Sequence, residues 1–94
     1  MDTTTPTRVV VVTGAGTGIG RATARAFAGQ GATVVAVGRR AEPLRETAGD
    51  RPGIHPFAAD VTAEGAPEEI VRAALAAHGR LDVLVNNAGI STGG

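Results

Sequence analysis

A glycine-rich run near the start of the chain has the residue types and spacing to bind a phosphate group. The run spans residues 13–20, reads TGAGTGIG, and follows four consecutive valines, 9–12. A buried strand that ends in such a turn at a helix N-terminus directs backbone N–H groups and the positive end of the helix dipole toward an anion. Because glycine has no β-carbon, a pyrophosphate can approach the backbone closely. We therefore predict that this turn binds a dinucleotide.

The spacing of the glycines narrows the class of phosphate loop. The pattern is Gly14-x-x-x-Gly18-x-Gly20, and no frame within the run fits the commoner G-x-G-x-x-G fingerprint. A nucleoside-triphosphate loop of the Walker type is excluded because no lysine follows the last glycine. Methyl-donor-binding domains with a similar turn carry an acidic residue at the end of the first strand, where this chain has Thr13. These departures leave the dinucleotide as the favoured ligand.

The glycine run is embedded in an alternation of strand-like and helix-like segments. Apolar and β-branched runs predict strands over 8–13, 33–37, 54–58 and 81–86, the third interrupted by Pro56. Apolar residues at helical spacing predict helices over 18–30 and 42–48, and a third helix with Pro67 in its first turn. Strands that alternate with helices in this way indicate right-handed βαβ units. The predicted fold class is α/β, a Rossmann-like parallel sheet with flanking helices and strand order 3-2-1-4.

In such a sheet, ligands bind at the carboxyl ends of the strands, beside the point where the strand order reverses. That edge would bring together four segments that are far apart in the chain. They are the glycine turn, Gly38–Arg39, Asp60 and Asn86–Gly89. The predicted fold and the predicted phosphate loop therefore indicate the same site.

Three motifs, read together, resemble those of the short-chain dehydrogenase/reductase family. They are Thr13-Gly14-x-x-x-Gly18-x-Gly20, Asp60-Val61-Thr62 and Asn86-Asn87-Ala88-Gly89. Each stands at the end of the strand where that family carries it, and the resemblance covers residues 8–90. It corresponds to the N-terminal part of a family member. The resemblance implies an NAD(P)-binding domain of an oxidoreductase.

The resemblance also assigns roles to individual residues. Asp60 and Val61 would contact the adenine, with the Asp60 carboxylate accepting from its exocyclic amine. Asn86 would be a structural hydrogen-bonding residue that ties the fourth strand into the sheet. The residues around the pyrophosphate and adenine ribose would be Gly14, Gly16, Thr17, Gly18, Ile19 and Gly20. Those against the ribose and the nicotinamide would be Asn87, Ala88 and Gly89.

The end of the second strand predicts which cofactor is preferred. A carboxylate about 20 residues after the glycines would accept a hydrogen bond from the ribose 2′-hydroxyl and repel a 2′-phosphate. This chain has Gly38 there, followed by Arg39 and Arg40. A guanidinium can bind a phosphate through two hydrogen bonds. We therefore expect Arg39 to select NADP over NAD, and Arg40 to be a solvated residue at a helix N-terminus.

The chain contains neither tyrosine nor lysine, because all nine basic side chains are arginine. In the family, a tyrosine donates the proton and a lysine four residues later lowers the pKa of that tyrosine. The resemblance therefore implies no catalytic residue here, and we expect these 94 residues alone to be inactive. We expect a disordered tail over 1–7 and a half-domain over 8–94, truncated before the catalytic region. A non-catalytic dinucleotide-binding module and a chain completed by a separate polypeptide remain alternatives.

Composition limits the partners of the chain. A formal net charge of zero gives no reason to expect nucleic acid or an anionic membrane as a partner. The absence of cysteine excludes disulfides and thiolate metal sites, and no other residue pattern predicts a metal. No apolar stretch resembles a signal sequence or a membrane span, so a cytoplasmic location is expected. The fourth strand would leave residues 81–85 as an open edge for self-association or for a complementing chain.

The two histidines carry no predicted site. His78 stands at a predicted helix C-terminus, where a partial positive charge is favourable. His55 lies in the third predicted strand, with no second histidine or group of carboxylates near it in the sequence. Structural roles are therefore expected for both.

Overall fold

The computed structural model describes residues 7–87, in which four strands alternate with three helices. The strands are β1 (Val9–Thr13), β2 (Thr33–Gly38), β3 (Ile54–Ala58) and β4 (Val83–Val85). The helices are α1 (Gly18–Gly29), α2 (Ala41–Ala48) and α3 (Ala66–His78). All strand pairs are parallel and the strand order is β3-β2-β1-β4, so the predicted fold class and order are confirmed. Residues 1–6 of the predicted tail and residues 88–94, among them Ala88 and Gly89, lie outside the described residues.

The valines of β1 form the centre of two apolar layers. Val10 and Val12 belong to the layer that contains Ala24 of α1 and Leu44 of α2. Val11 belongs to the opposite layer, which contains Ile70 of α3. Because successive strand residues point to opposite faces, a central strand covered on both sides needs apolar residues at every position. The continuous valine run therefore reflects a strand that is buried on both faces.

The fourth strand is shorter than predicted. The sequence predicts a strand over 81–86, but β4 comprises only Val83–Val85. Before it, Asp82 Oδ2 accepts a hydrogen bond of 2.8 Å from the Val9 backbone N–H, and Arg80 binds both Asp82 carboxylate oxygens. The Arg80 guanidinium and the Val9 N–H lower the pKa of the Asp82 carboxyl. At the start of β4, Asp82 therefore pairs with Val9 both through its side chain and through its backbone N–H, which donates to Val9 O at 2.9 Å.

Leu84 makes β4 an apolar edge of the described sheet. This leucine is 52% exposed although it stands in the middle of the strand. Among the described residues, β4 pairs only with β1, and its other edge is open. An open apolar edge can pair with another strand.

His55 and His78 come together although 23 positions separate them. Their ring centroids lie 4.9 Å apart, with the rings tilted by 51°. Burial against α3 and the neighbouring charge of His78 lower the pKa of His55. A histidine that binds protons more weakly in the folded state makes folding less favourable in acid.

This pair gives a prediction for the pH dependence of stability. We expect the free energy of unfolding to fall as the pH drops below about 6.5, the ordinary pKa of histidine, because unfolded His55 takes up a proton more readily than folded His55. Chemical denaturation between pH 7.5 and 5.5 measures the slope. His55→Gln should flatten it and His78→Gln should flatten it partly. Equal slopes in the wild type and in His55→Gln would contradict the prediction.

Candidate cofactor site

The turn between β1 and α1 is held open by two glycines in the left-handed region. Gly14 has φ 63° and Gly18 has φ 59°, conformations that side-chain-bearing residues rarely adopt. The turn is tied to the neighbouring strand because the Ala15 N–H donates a hydrogen bond of 3.0 Å to Val37 O. A β-carbon added at Gly18 would meet no atom within 4 Å. Open space therefore lies against the backbone at the start of α1, where a ligand could approach.

The N-terminus of α1 has the properties of an anion site. Thr17 is the N-cap residue, and its side chain makes no capping hydrogen bond. No acidic residue stands in the first turn to offset the helix dipole. Ile19 is 72% exposed at the same place, which is unusual for so large an apolar side chain. A bound cofactor would give the backbone N–H groups an acceptor and cover Ile19.

Gly20 is packed closely against the first residue of the turn. A β-carbon there would collide with the Gly14 carbonyl oxygen and lie 2.8 Å from Asn87 Nδ2. Asn87 Nδ2 in turn donates a hydrogen bond of 3.4 Å to Gly14 O. The structure therefore places Asn87, the last described residue, against the glycine turn.

Asn86 links the carboxyl ends of β1 and β4. The Thr13 hydroxyl lies 3.2 Å from Asn86 Oδ1 and 3.3 Å from Val85 O, and both oxygens can accept its hydrogen. This contact fits the structural role expected for Asn86. It also positions the following residue, Asn87, above the turn.

Asp60 is ordered at the end of β3. Its Oδ1 accepts hydrogen bonds from the Thr62 backbone N–H, at 2.9 Å, and from the Thr62 hydroxyl, at 2.6 Å. These hydrogen bonds and the charge of Arg39 lower the pKa of the Asp60 carboxyl, which is therefore an anion at neutral pH. Gly38 pairs with Ala58 in the parallel register of β2 and β3, so the ends of these strands meet at one edge. Val61, which follows, packs against the apolar layer beneath α3.

A cleft of about 240 Å³ lies between the glycine turn and the start of α2. Gly38 forms part of it, and a β-carbon there would lie 3.1 Å from Leu44 Cδ2, so a side chain at this position would press on the core. Arg39 is exposed beside it. The residues that line the cleft are Gly14, Gly16, Thr17, Gly38, Arg39, Arg40, Pro43 and Leu44. These described lining residues include two guanidinium groups, those of Arg39 and Arg40, and no carboxylate.

Two polar residues near the cleft are not marked by any motif. Thr47 is fully buried and its hydroxyl lies 2.7 Å from Ala15 O, within the glycine turn. Arg21 Nη2 donates to Gly16 O at 2.6 Å and to Pro43 O at 3.1 Å. The only sequence signals for these two residues are that Thr47 lies inside a short helix and that Arg21 directly follows the last glycine of the turn.

The fold and the site together define a Rossmann-like dinucleotide-binding domain. The glycine turn, Asn87, Gly38–Arg39 and Asp60 all lie at the carboxyl edge of the parallel sheet, where the fold is expected to bind its ligand. A turn without β-carbons at Gly18 and an uncapped helix N-terminus fit a pyrophosphate. The residues present therefore fit the cofactor.

The comparisons with known proteins identify the family. The model of the short chain dehydrogenase family matches residues 8–94, and the chain belongs to that family. The chain is 45% identical over 87 residues to the short-chain dehydrogenase/reductase VdtF of Byssochlamys spectabilis, covering 90% of this chain and 28% of VdtF. It is 41% identical to the 3-oxoacyl-[acyl-carrier-protein] reductase FabG of Thermotoga maritima, covering 89% of this chain and 36% of FabG. The chain thus spans about a third of the length of these relatives.

Solved structures support the same fold. A metagenomic short-chain oxidoreductase in complex with NADP superposes with a TM-score of 0.79 at 42% identity, covering 85% of this chain and 38% of that protein. The 3-ketoacyl-(acyl-carrier-protein) reductase of Brucella melitensis, complexed with NADH, gives 0.76 at 37% identity, covering 82% and 32%. Similar structures therefore hold either nicotinamide cofactor. Within residues 7–87, no helix has the length and apolar character needed to cross a bilayer.

Proposed function

We propose that this chain is the NADP(H)-binding part of a short-chain dehydrogenase that transfers hydride between the nicotinamide and a carbonyl or alcohol substrate. The observation that carries the choice of NADP is the cleft beside the glycine turn. Arg39 and Arg40 line it, Gly38 occupies the place of a ribose-binding carboxylate, and no described acidic side chain lines the cleft. A dianionic 2′-phosphate is favoured where guanidinium groups lie and carboxylates do not.

The proposed roles of the site residues follow from their positions. The turn residues Gly14, Gly16, Thr17, Gly18, Ile19 and Gly20 would surround the pyrophosphate and adenine ribose. Asp60 and Val61 would contact the adenine, and Asn87, with Ala88 and Gly89 outside the described residues, would contact the nicotinamide side. Asp60 Oδ1 is already bonded to Thr62, so the second oxygen is the one suited to accept from the adenine amine. The cofactor would supply or accept the hydride, and these residues would hold it in place.

Titration with the reduced cofactors tests the proposal. The chain has no tryptophan or tyrosine, so the emission of NADPH or NADH itself is the signal to follow. We expect saturable binding of both, with NADPH bound about ten to a hundred times more tightly, as charge-assisted hydrogen bonds to the 2′-phosphate imply. Equal affinity for the two cofactors would overturn the NADP assignment. No saturable binding by a folded chain would overturn cofactor binding altogether.

A second candidate is a dinucleotide-binding module that holds the cofactor without catalysis, or that another polypeptide completes. It is favoured by the exposed Leu84 on the open edge of β4, which could pair with a strand of another polypeptide. Reading the gene beyond codon 94 separates the candidates. An in-frame Tyr-x-x-x-Lys would support the oxidoreductase, whereas a stop codon would support the module or the completed chain.

A further inference from the structure

Arg21 joins the two walls of the cleft. It stands on α1 directly after the last glycine of the turn, and its side chain reaches both the turn and α2. The same nitrogen, Nη2, donates to Gly16 O at 2.6 Å and to Pro43 O at 3.1 Å. Gly16 and Pro43 are both lining residues of the cleft, one on the turn and one on α2. One side chain therefore bonds to both walls.

Close packing makes the distance between these walls sensitive to Arg21. A β-carbon at Gly16 would lie 3.0 Å from Pro43 Cβ, so the turn and α2 are already nearly in contact. Arg21 Nη2 also lies 3.4 Å from Glu46 Oε1, a longer contact with a side chain that is 65% exposed. An exposed ion pair of this kind contributes little. The two carbonyl bonds are therefore the ones that hold the walls.

Thr47 extends the same connection into the core. Arg21 Nε donates a hydrogen bond to Thr47 Oγ1 at 2.9 Å, and the Thr47 hydroxyl in turn donates to Ala15 O at 2.7 Å. Pro43 O, at 3.1 Å from Oγ1, is an alternative acceptor within α2. Thr47 is fully buried, so these bonds form away from water, where an unmade hydrogen bond is costly. The turn is thus bonded to α2 at two successive carbonyls, Ala15 and Gly16.

We infer that Arg21 and Thr47 are positioning residues that set the spacing between the pyrophosphate turn and Arg39, and thereby the discrimination between NADPH and NADH. This inference rests on the proposed function. The 2′-phosphate and the pyrophosphate are joined through the same ribose, which limits the distance between them, so we expect Arg39 to bind the first well only if α2 stands at the right distance from the turn. NADH lacks the 2′-phosphate and depends less on that distance.

Arg25 provides a matched control on the same helix. It lies one turn after Arg21 and also donates to carbonyls of α2, Thr47 O at 3.1 Å and Glu46 O at 2.9 Å. It makes no described hydrogen bond to the glycine turn. Replacing either arginine should therefore weaken the attachment of α1 to α2 to a similar extent. Only the replacement of Arg21 should also change the distance between the two walls of the cleft.

The experiment measures the dissociation constants of NADPH and NADH for the 94-residue chain and its variants, together with the thermal unfolding midpoint of each. The variants are Arg21→Gln, Arg25→Gln, Thr47→Val and Thr47→Ser. We expect Arg21→Gln and Thr47→Val to weaken the binding of NADPH about tenfold and the binding of NADH less than about threefold, because a buried hydrogen-bond network is lost. Thr47→Ser keeps the hydroxyl and should restore the wild-type ratio, and Arg25→Gln should leave the ratio unchanged.

The ratio of the two constants separates this inference from the proposed function. If the wild type binds neither cofactor or does not prefer NADPH, the proposed function fails. If it prefers NADPH but Arg21→Gln and Arg25→Gln change both cofactors equally, the positioning role is wrong. Should Arg21→Gln not fold, Thr47→Val and Thr47→Ser decide the matter, because equal ratios in these two variants would overturn the inference.

Discussion

Arg39→Asp is expected to reverse the cofactor preference of the chain. The substitution removes the guanidinium nearest to the proposed 2′-phosphate and places a carboxylate there, which repels that phosphate and can accept from a ribose 2′-hydroxyl. We expect NADPH to bind about a hundred times more weakly, since a charge-assisted contact is lost and a repulsion is added. NADH should bind with equal or higher affinity. Fluorescence titration of the two reduced cofactors measures both effects.

Two features of the structure make Arg39 the right position for this change. Gly38→Asp would restore a carboxylate at the place that usually carries it, but its β-carbon would press on Leu44, a core residue. Arg39 is exposed, so its replacement leaves the core intact. Arg72→Asp, on α3 at the opposite face of the sheet, changes the net charge by the same amount and serves as control. A similar loss of NADPH affinity in both variants would show that net charge, and not the site, is responsible.

Gly20→Ala is expected to destabilise the fold and to weaken the binding of both cofactors. The added β-carbon would collide with the Gly14 carbonyl oxygen, a backbone atom that cannot rotate away as a side chain could. Over-packing of this kind costs about 1–3 kcal/mol, which corresponds to roughly 5–20 °C in a domain of this size. Thermal unfolding followed by circular dichroism measures the loss. Because the glycine turn itself moves, NADPH and NADH should weaken by similar factors.

Gly29→Ala is the matched control for Gly20→Ala. Gly29 is the last residue of the same helix, and a β-carbon there would meet nothing within 4 Å. Alanine in a helix is favoured over glycine by about 0.5–1 kcal/mol, so this variant should be as stable as the wild type or more stable. If Gly20→Ala melts at the same temperature as Gly29→Ala, the close packing of Gly20 against Gly14 has no energetic consequence.

The types of residues that lie a few positions apart were sufficient to predict the order of strands and helices along the chain. The valine run predicts a strand buried on both faces, and the structure confirms it in β1. The helix predicted over 42–48 is observed as Ala41–Ala48, and the helix predicted with Pro67 in its first turn and His78 at its C-terminus is observed as Ala66–His78. These predictions succeed because helix and strand periodicity, proline placement and glycine turns depend on residues within a few positions of one another.

The sequence did not predict the contacts between residues that are far apart in the chain. The strand predicted over 81–86 is reduced to Val83–Val85, and Asp82 before it bonds to Val9, 73 positions away, through both its backbone N–H and its side chain. The isolated His55 acquires His78 as a neighbour only when α3 packs on β3. Neither contact can be predicted from the types of residues that neighbour each other in the sequence.

For this chain, the order of its residues was enough to establish the phosphate-binding turn, the alternation of strands and helices, and the absence of the tyrosine and lysine that the family uses. All three depend on residue identity and short spacing. The tertiary structure alone decided how the turn is held against α2, since Arg21 and Thr47 lie 26 positions apart and meet only through packing of α1 on α2. It also decided that His55 and His78 are neighbours, because they lie on β3 and α3, 23 positions apart, and meet only in the folded chain.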